Sequence, residues 1–98
     1  MTTGTNLSSE GLDPRRRRLL FRCWHRGIRE MDLVLGRFAD AQLAFLADRE
    51  LDELERWLDV PDQQIFAWVN GIEPVPVNYD TALFRRLRDF HKGAPWLQ

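Results

Sequence analysis

The sequence predicts an all-α protein, a compact bundle of five short helices, and three observations carry that prediction. Apolar residues return at intervals of three and four along five separate stretches, as the turn of an α-helix requires. No stretch alternates apolar and polar residues as a half-buried strand would. Glycine, proline and asparagine stand between most of the stretches, where the chain has to turn. With 98 residues, 44% hydrophobic and 30% charged, the chain has room for one small domain and one core. Residues 1–12 are expected to be a disordered tail, 13–93 the helical domain and 94–98 a short C-terminal tail.

The first helix is predicted from Pro14 to His25, with Leu19, Leu20, Cys23 and Trp24 on its inner face. Pro14 suits a first helical turn and Asp13 before it suits the N-cap. Gly27 then offers a stop or a sharp turn. A second helix carries Ile28, Met31, Val34, Leu35 and Phe38 inward. Gly36 lies inside it at a cost of about 1 kcal/mol relative to alanine, so packing must hold that helix.

The third helix, Asp48 to Leu58, sets Leu51, Leu54, Trp57 and Leu58 against the core. Arg49, Glu50, Asp52, Glu53 and Arg56 face away from it, with Asp52 and Arg56 spaced for an i,i+4 pair. The fourth starts near Pro61, capped by Asp59 or Val60, turns Ile65, Trp68 and Val69 inward and ends at Asn70-Gly71. Pro74 and Pro76 make Ile72 to Asn78 an extended connector. The fifth helix is predicted from Tyr79 to Lys92, aligning Leu83, Phe84, Leu87 and Phe90, with Asp80 near its start and Gly93 and Pro95 beyond its end.

The net charge of −1 conceals an asymmetry: residues 1–37 sum to +4, 38–73 to −7 and 74–98 to +2, which predicts a basic and an acidic end. Cys23 is the one cysteine, so no internal disulfide forms and a reducing compartment fits. The uninterrupted apolar run Leu43 to Ala47 is as long as any in the chain and falls far short of the about 18 residues that span a membrane. Met1 to Asp13 is polar, carries Glu10 and Asp13 and lacks the apolar centre of a secretion signal. The expected setting is the bacterial cytoplasm.

Catalysis finds little to work with. Cys23 and His25 diverge by about 200° around a helix and cannot pair as nucleophile and base. Cys23 is therefore expected to be a packed thiol and His25 a surface or capping histidine, while His91 lies on another helix, at the end of the fifth. Neither a dinucleotide-binding nor a P-loop glycine pattern is present. The acids Glu50, Asp52, Glu53 and Glu55 are expected on a solvated face. Trp57 and Trp68 are expected in the core, while Phe21 and Trp24 cannot both be buried in one stripe, leaving one for an interface. Arg15 to Arg18, with Arg22, Arg26 and Arg29 beyond, would serve an acidic partner or a nucleic acid. A small basic-faced helical nucleic-acid-binding regulator is therefore the alternative reading, and strong salt dependence would be its mark.

The most informative stretch is Arg26-Gly27-Ile28-Arg29-Glu30-Met31-Asp32, where two arginines and two acids surround a glycine free to relax the backbone. Two readings of these residues stay open. In one, Gly27 ends the first helix, Arg26 and Glu30 pair across i,i+4, and Asp32 caps or is solvated. In the other, the turn is a docking surface. Arg26, Gly27 and Glu30 match an RGxxE signature, and Asp59-Val60-Pro61-Asp62-Gln63-Gln64-Ile65-Phe66-Ala67-Trp68 is a second match, an acidic turn followed by a helix carrying Asp62, Ile65 and Trp68.

With these residues the sequence resembles the succinate dehydrogenase flavinylation factor family over about residues 15–92. The resemblance implies a non-catalytic five-helix assembly factor that binds the flavoprotein subunit of succinate dehydrogenase, with fumarate reductase as a further client. It also implies that the factor promotes covalent attachment of FAD to a histidine of that subunit. FAD then belongs to the partner, and this chain holds no cofactor stably and no metal. The expected partner-binding residues are Arg26, Gly27, Ile28, Arg29, Glu30, Asp32 and Asp62, on a monomer that binds no nucleic acid and does not insert into a membrane.

Overall fold

The structure, a computed structural model, describes residues 11–94. Five α-helices follow one another, with no strand among the described residues: α1 (Pro14–Trp24), α2 (Arg29–Gln42), α3 (Asp48–Leu58), α4 (Asp62–Val69) and α5 (Ala82–Phe90). A single 3-10 turn, Leu43–Phe45, links α2 to α3. Residues 1–10 and 95–98, which hold most of the two expected tails and Trp96, lie outside the described residues. Leu12 packs partly buried against the core.

The helix ends differ from expectation in instructive ways. Asp13 holds the extended N-cap position of α1 beside Pro14, yet its carboxylate accepts from Arg16 Nη1 at 2.8 Å instead of capping a backbone N–H. Ile28, expected on the inner stripe of α2, stands before its first turn in extended conformation and is 43% exposed. Pro61 is the N-cap of α4. Helix α5 begins later than the apolar pattern predicts, because Thr81 caps it: the hydroxyl accepts from Phe84 N–H at 3.2 Å. Residues 76–80 turn instead, with Tyr79 N–H donating to the Pro76 carbonyl at 2.9 Å.

One core draws on every helix and contains Leu19, Met31, Phe38, Leu54, Ile65 and Phe84, each at most 1% exposed. Trp57 and Trp68 belong to it, and both meet Phe84 edge-on, with ring centroids 5.5 and 6.2 Å away. Cys23 is fully buried. Between α1 and α2 the fit is close enough to need glycine. A Cβ built on Gly36 would stand 2.3–2.7 Å from carbons of the Trp24 indole. That indole donates from Nε1 to Asp40 Oδ1 at 3.1 Å, and Trp24 is 7% exposed. Phe21, on the other side of α1, is 53% exposed.

Several polar side chains meet partners that spacing along the sequence does not reveal. His91 stands at the C-cap of α5 but is buried at 1% exposure, with Nε2 2.6 Å from the Val34 carbonyl oxygen. A carbonyl only accepts, so Nε2 carries the proton. The acids of α3 are not simply solvated: Asp52 and Glu55 take Arg15 at 2.5 and 2.8 Å, Glu50 takes Arg86 at 3.2 Å, and Glu53 accepts from the Thr81 hydroxyl. Asp52 is therefore bound to Arg15, while the Arg56 guanidinium lies 4.8 Å over the Tyr79 ring. The basic and acidic blocks of the sequence are folded onto one another in part, and the charge that reads as two ends along the chain is partly neutralised between helices.

Candidate functional site

The corner between α1 and α2 is built from residues of both helices and from the turn between α3 and α4. Helix α1 stops at Trp24 and His25 leaves helical geometry. Gly27 then takes φ +108°, a region that side chains strain to enter, although a Cβ there would meet nothing within 4 Å. Conformation, not space, demands glycine at this point. The chain continues through exposed Ile28, Arg29 and Glu30 into α2.

Arg26 does not pair with Glu30. Its guanidinium reaches across to the α3–α4 turn, donating from Nε to Asp62 Oδ1 at 2.7 Å, from Nη1 to the Leu58 carbonyl at 2.6 Å and from Nη2 to the Val60 carbonyl at 2.8 Å. Nη2 also lies 2.6 Å from Asp62 Oδ1, and the two side chains are only 12% and 20% exposed. The Arg26 backbone N–H donates to Asp32 Oδ1 at 2.7 Å. Arg26, Asp32 and Asp62 thus come together behind the corner, while Gly27, Ile28, Arg29 and Glu30 face outward. Spacing alone proposed the i,i+4 pair; it fails because Arg26 and Glu30 do not share a helix.

Sequence reasoning missed two parts of this arrangement. The Leu58 and Val60 carbonyls that accept from Arg26 have no residue signature, and nothing local links positions 32 and 34 apart. The second omission is a ring pair on the last turn of α1, where Phe21 stacks on His25 with centroids 3.9 Å apart and planes 15° from parallel. Phe21 and His25 stand four apart, the spacing of neighbours on one helix face, which was a usable signal.

Elsewhere, the run of four arginines divides. Arg15 serves Glu55 and Asp52, whose hydrogen bonds hold its pKa above the ordinary guanidinium value. Arg16 serves Asp13 and the Leu43 and Leu46 carbonyls. Arg17 and Arg18 are exposed. Burial pushes the Cys23 thiol up to about 12, so at neutral pH it is a packed apolar group and not a nucleophile. Among the described residues no group of three or more His, Cys, Asp or Glu is placed to hold a metal ion. No helix there is long and apolar enough to cross a membrane.

Fold and corner together define a small all-helical protein whose distinctive groups stand on a braced, outward-facing turn. The chain belongs to the family described as "flavinator of succinate dehydrogenase", whose model matches residues 17–91. It is similar to the "FAD assembly factor SdhE" of Acetobacter pasteurianus, 34% identical over 86 residues that cover 88% of this chain and 79% of that protein. It is also similar to "Succinate dehydrogenase assembly factor 2, mitochondrial" of Mycosarcoma maydis, 41% identical over 99 residues, 91% of this chain and 42% of that one. The protein of the same description in Yarrowia lipolytica is 36% identical over 84 residues, 82% of this chain and 58% of that one. The chain therefore spans most of the bacterial relative and about half the length of these mitochondrial ones. No solved structure matches the chain.

Proposed function

We propose that this protein is an assembly factor that binds the flavoprotein subunit of succinate dehydrogenase and promotes covalent attachment of FAD to it. The observation that carries this reading is the α1–α2 corner, where Gly27, Ile28, Arg29 and Glu30 are exposed on a turn held from behind by Asp32 and Asp62. A surface already ordered before docking loses less conformational entropy on binding than a loose loop would. Family membership supports the identity of the partner.

The factor works without catalytic groups of its own. The flavin and the histidine that it joins both belong to the flavoprotein, and the factor holds that protein where the two meet. Orientation alone accounts for up to about 7–11 kcal/mol of barrier in favourable systems. At the corner, Gly27 permits close approach, Arg29 meets carboxylates or carbonyls, and Glu30 accepts hydrogen bonds. Exposed Phe21, stacked on His25, adds apolar area on the last turn of α1. The protein acts as a monomer in the bacterial cytoplasm, and fumarate reductase is a second client of the same kind. Arg15 and Arg16 are spent on acids and carbonyls of this chain, which supports a protein-docking reading over a nucleic-acid one.

The test is a pair of variants, Gly27→Arg and Glu30→Ala, checked for native helicity and then mixed with the flavoprotein subunit. Both are expected to lose co-purification and to leave the subunit without covalent flavin fluorescence in a denaturing gel. Normal binding and normal flavin attachment by either folded variant would remove this surface from the proposal.

A further inference from the structure

We infer that Arg26 is a positioning residue that does not touch the partner: with Asp62 it forms a latch that fixes the backbone of the docking corner. The inference rests on the proposed docking role for its consequence in binding, but its geometry stands apart from that role. All three guanidinium nitrogens are already committed, to the Asp62 carboxylate and to the Leu58 and Val60 carbonyls, and the side chain is 12% exposed. Little is left to offer a partner.

The acceptors explain why an arginine is needed. Leu58 is the last residue of α3, and a helix leaves its final carbonyls without partners inside the helix. Asp62 opens α4, where a carboxylate suits the positive end of the helix. One planar fork satisfies both the end of α3 and the start of α4, which a lysine ammonium cannot reproduce in the same geometry. On the other side, the Arg26 N–H is held by Asp32, whose own N–H donates to the Ile28 carbonyl at 3.1 Å. Gly27 follows at φ +108° with open space where a Cβ would be. Its path is set from the two sides, by the Arg26 latch and by Asp32. The two sequence stretches that carry the family resemblance, around Arg26 and around Asp62, are therefore one device: the second positions the first.

The experiment compares Arg26→Ala, Asp62→Ala and the double variant in the full chain, with two readouts. One is affinity for the flavoprotein subunit; the other is hydrogen exchange of the Arg26 and Asp32 amides in the free protein. Each single variant is expected to bind roughly tenfold or more weakly, the double no worse than the weaker single, and both amides to exchange faster. Arg26→Lys is expected to rescue neither readout. Glu30→Ala is expected to weaken binding with exchange unchanged, and Leu87→Val, a core change on α5, to lower stability while leaving both readouts unchanged. Should an alanine variant fail to fold, Asp62→Asn keeps one acceptor oxygen and is expected to give an intermediate effect on both.

Wild-type affinity in Asp62→Ala beside a loss in Arg26→Ala would make Arg26 a direct contact and overturn the latch. So would unchanged exchange in both variants. If the wild-type protein does not bind the flavoprotein, the proposed function falls, and the exchange measurements still decide the latch.

Discussion

Gly36 shows how a single residue is decided by its neighbour and not by its own helix. Helix propensity favours alanine there by about 1 kcal/mol. The structure opposes the change, since the new Cβ would stand within 2.7 Å of Trp24 ring carbons and that ring is anchored through Asp40. Overpacking of a close-packed contact costs about 1–3 kcal/mol, so Gly36→Ala is expected to lower the melting temperature by several degrees. A rise in melting temperature would mean that the indole moves aside freely. Burial, more than the Val34 hydrogen bond or nearby Arg37, governs His91 and lowers its pKa from the ordinary 6.5. The folded protein therefore holds this histidine neutral where the unfolded chain would protonate it. Stability contributed by His91 is complete above about pH 6.5 and declines as the pH falls from there toward the folded value. Urea midpoints measured across pH 5–8 are expected to fall on the acid side, and His91→Gln is expected to flatten that part of the profile. Cys23, by contrast, was legible from its place in an apolar stripe, because a lone thiol on the inner face of a helix behaves as a small hydrophobe.

At the scale of the element, periodicity marked all five helices, while several of their ends escaped it. Helix α3 matches its expected span because apolar gives way to polar sequence at each end, Ala47 to Asp48 and Leu58 to Asp59; Glu50 reaches back to the Ala47 N–H at 2.9 Å, half of a capping box. Helix α5 does not match, because the apolar pattern continues through Tyr79, which packs against Trp68 from a turn. Thr81 sets the true start, accepting from Phe84 N–H while its hydroxyl donates to Glu53 on α3. Thr81→Ala is expected to cost about 1 kcal/mol from the lost cap, with a further loss from leaving Glu53 without its donor. Thr81→Ser is expected to restore most of it. Chemical denaturation of the three proteins, compared at constant slope, checks both.

For the whole molecule, the order of charges along the chain is a poor guide to the charges on the surface. The acidic middle block is spent in part on Arg15 of α1 and Arg86 of α5, so α3 serves as a tie between neighbours. The corner shows the same effect at higher stakes. The family resemblance marked Arg26, Asp32 and Asp62, with Gly27 to Glu30, as partner-binding residues. Packing turned the first three inward and left Gly27 to Glu30 outside. An all-helical class, the number of helices, most of the core and the family were written in the chain, because helical periodicity and its breakers are local properties that a linear string records. Which arginine turns inward, which acid it meets and where the corner points come only from bringing positions dozens of residues apart into contact. Such pairings depend on where helices α1, α3 and α4 lie against one another, and no spacing along a single segment encodes that.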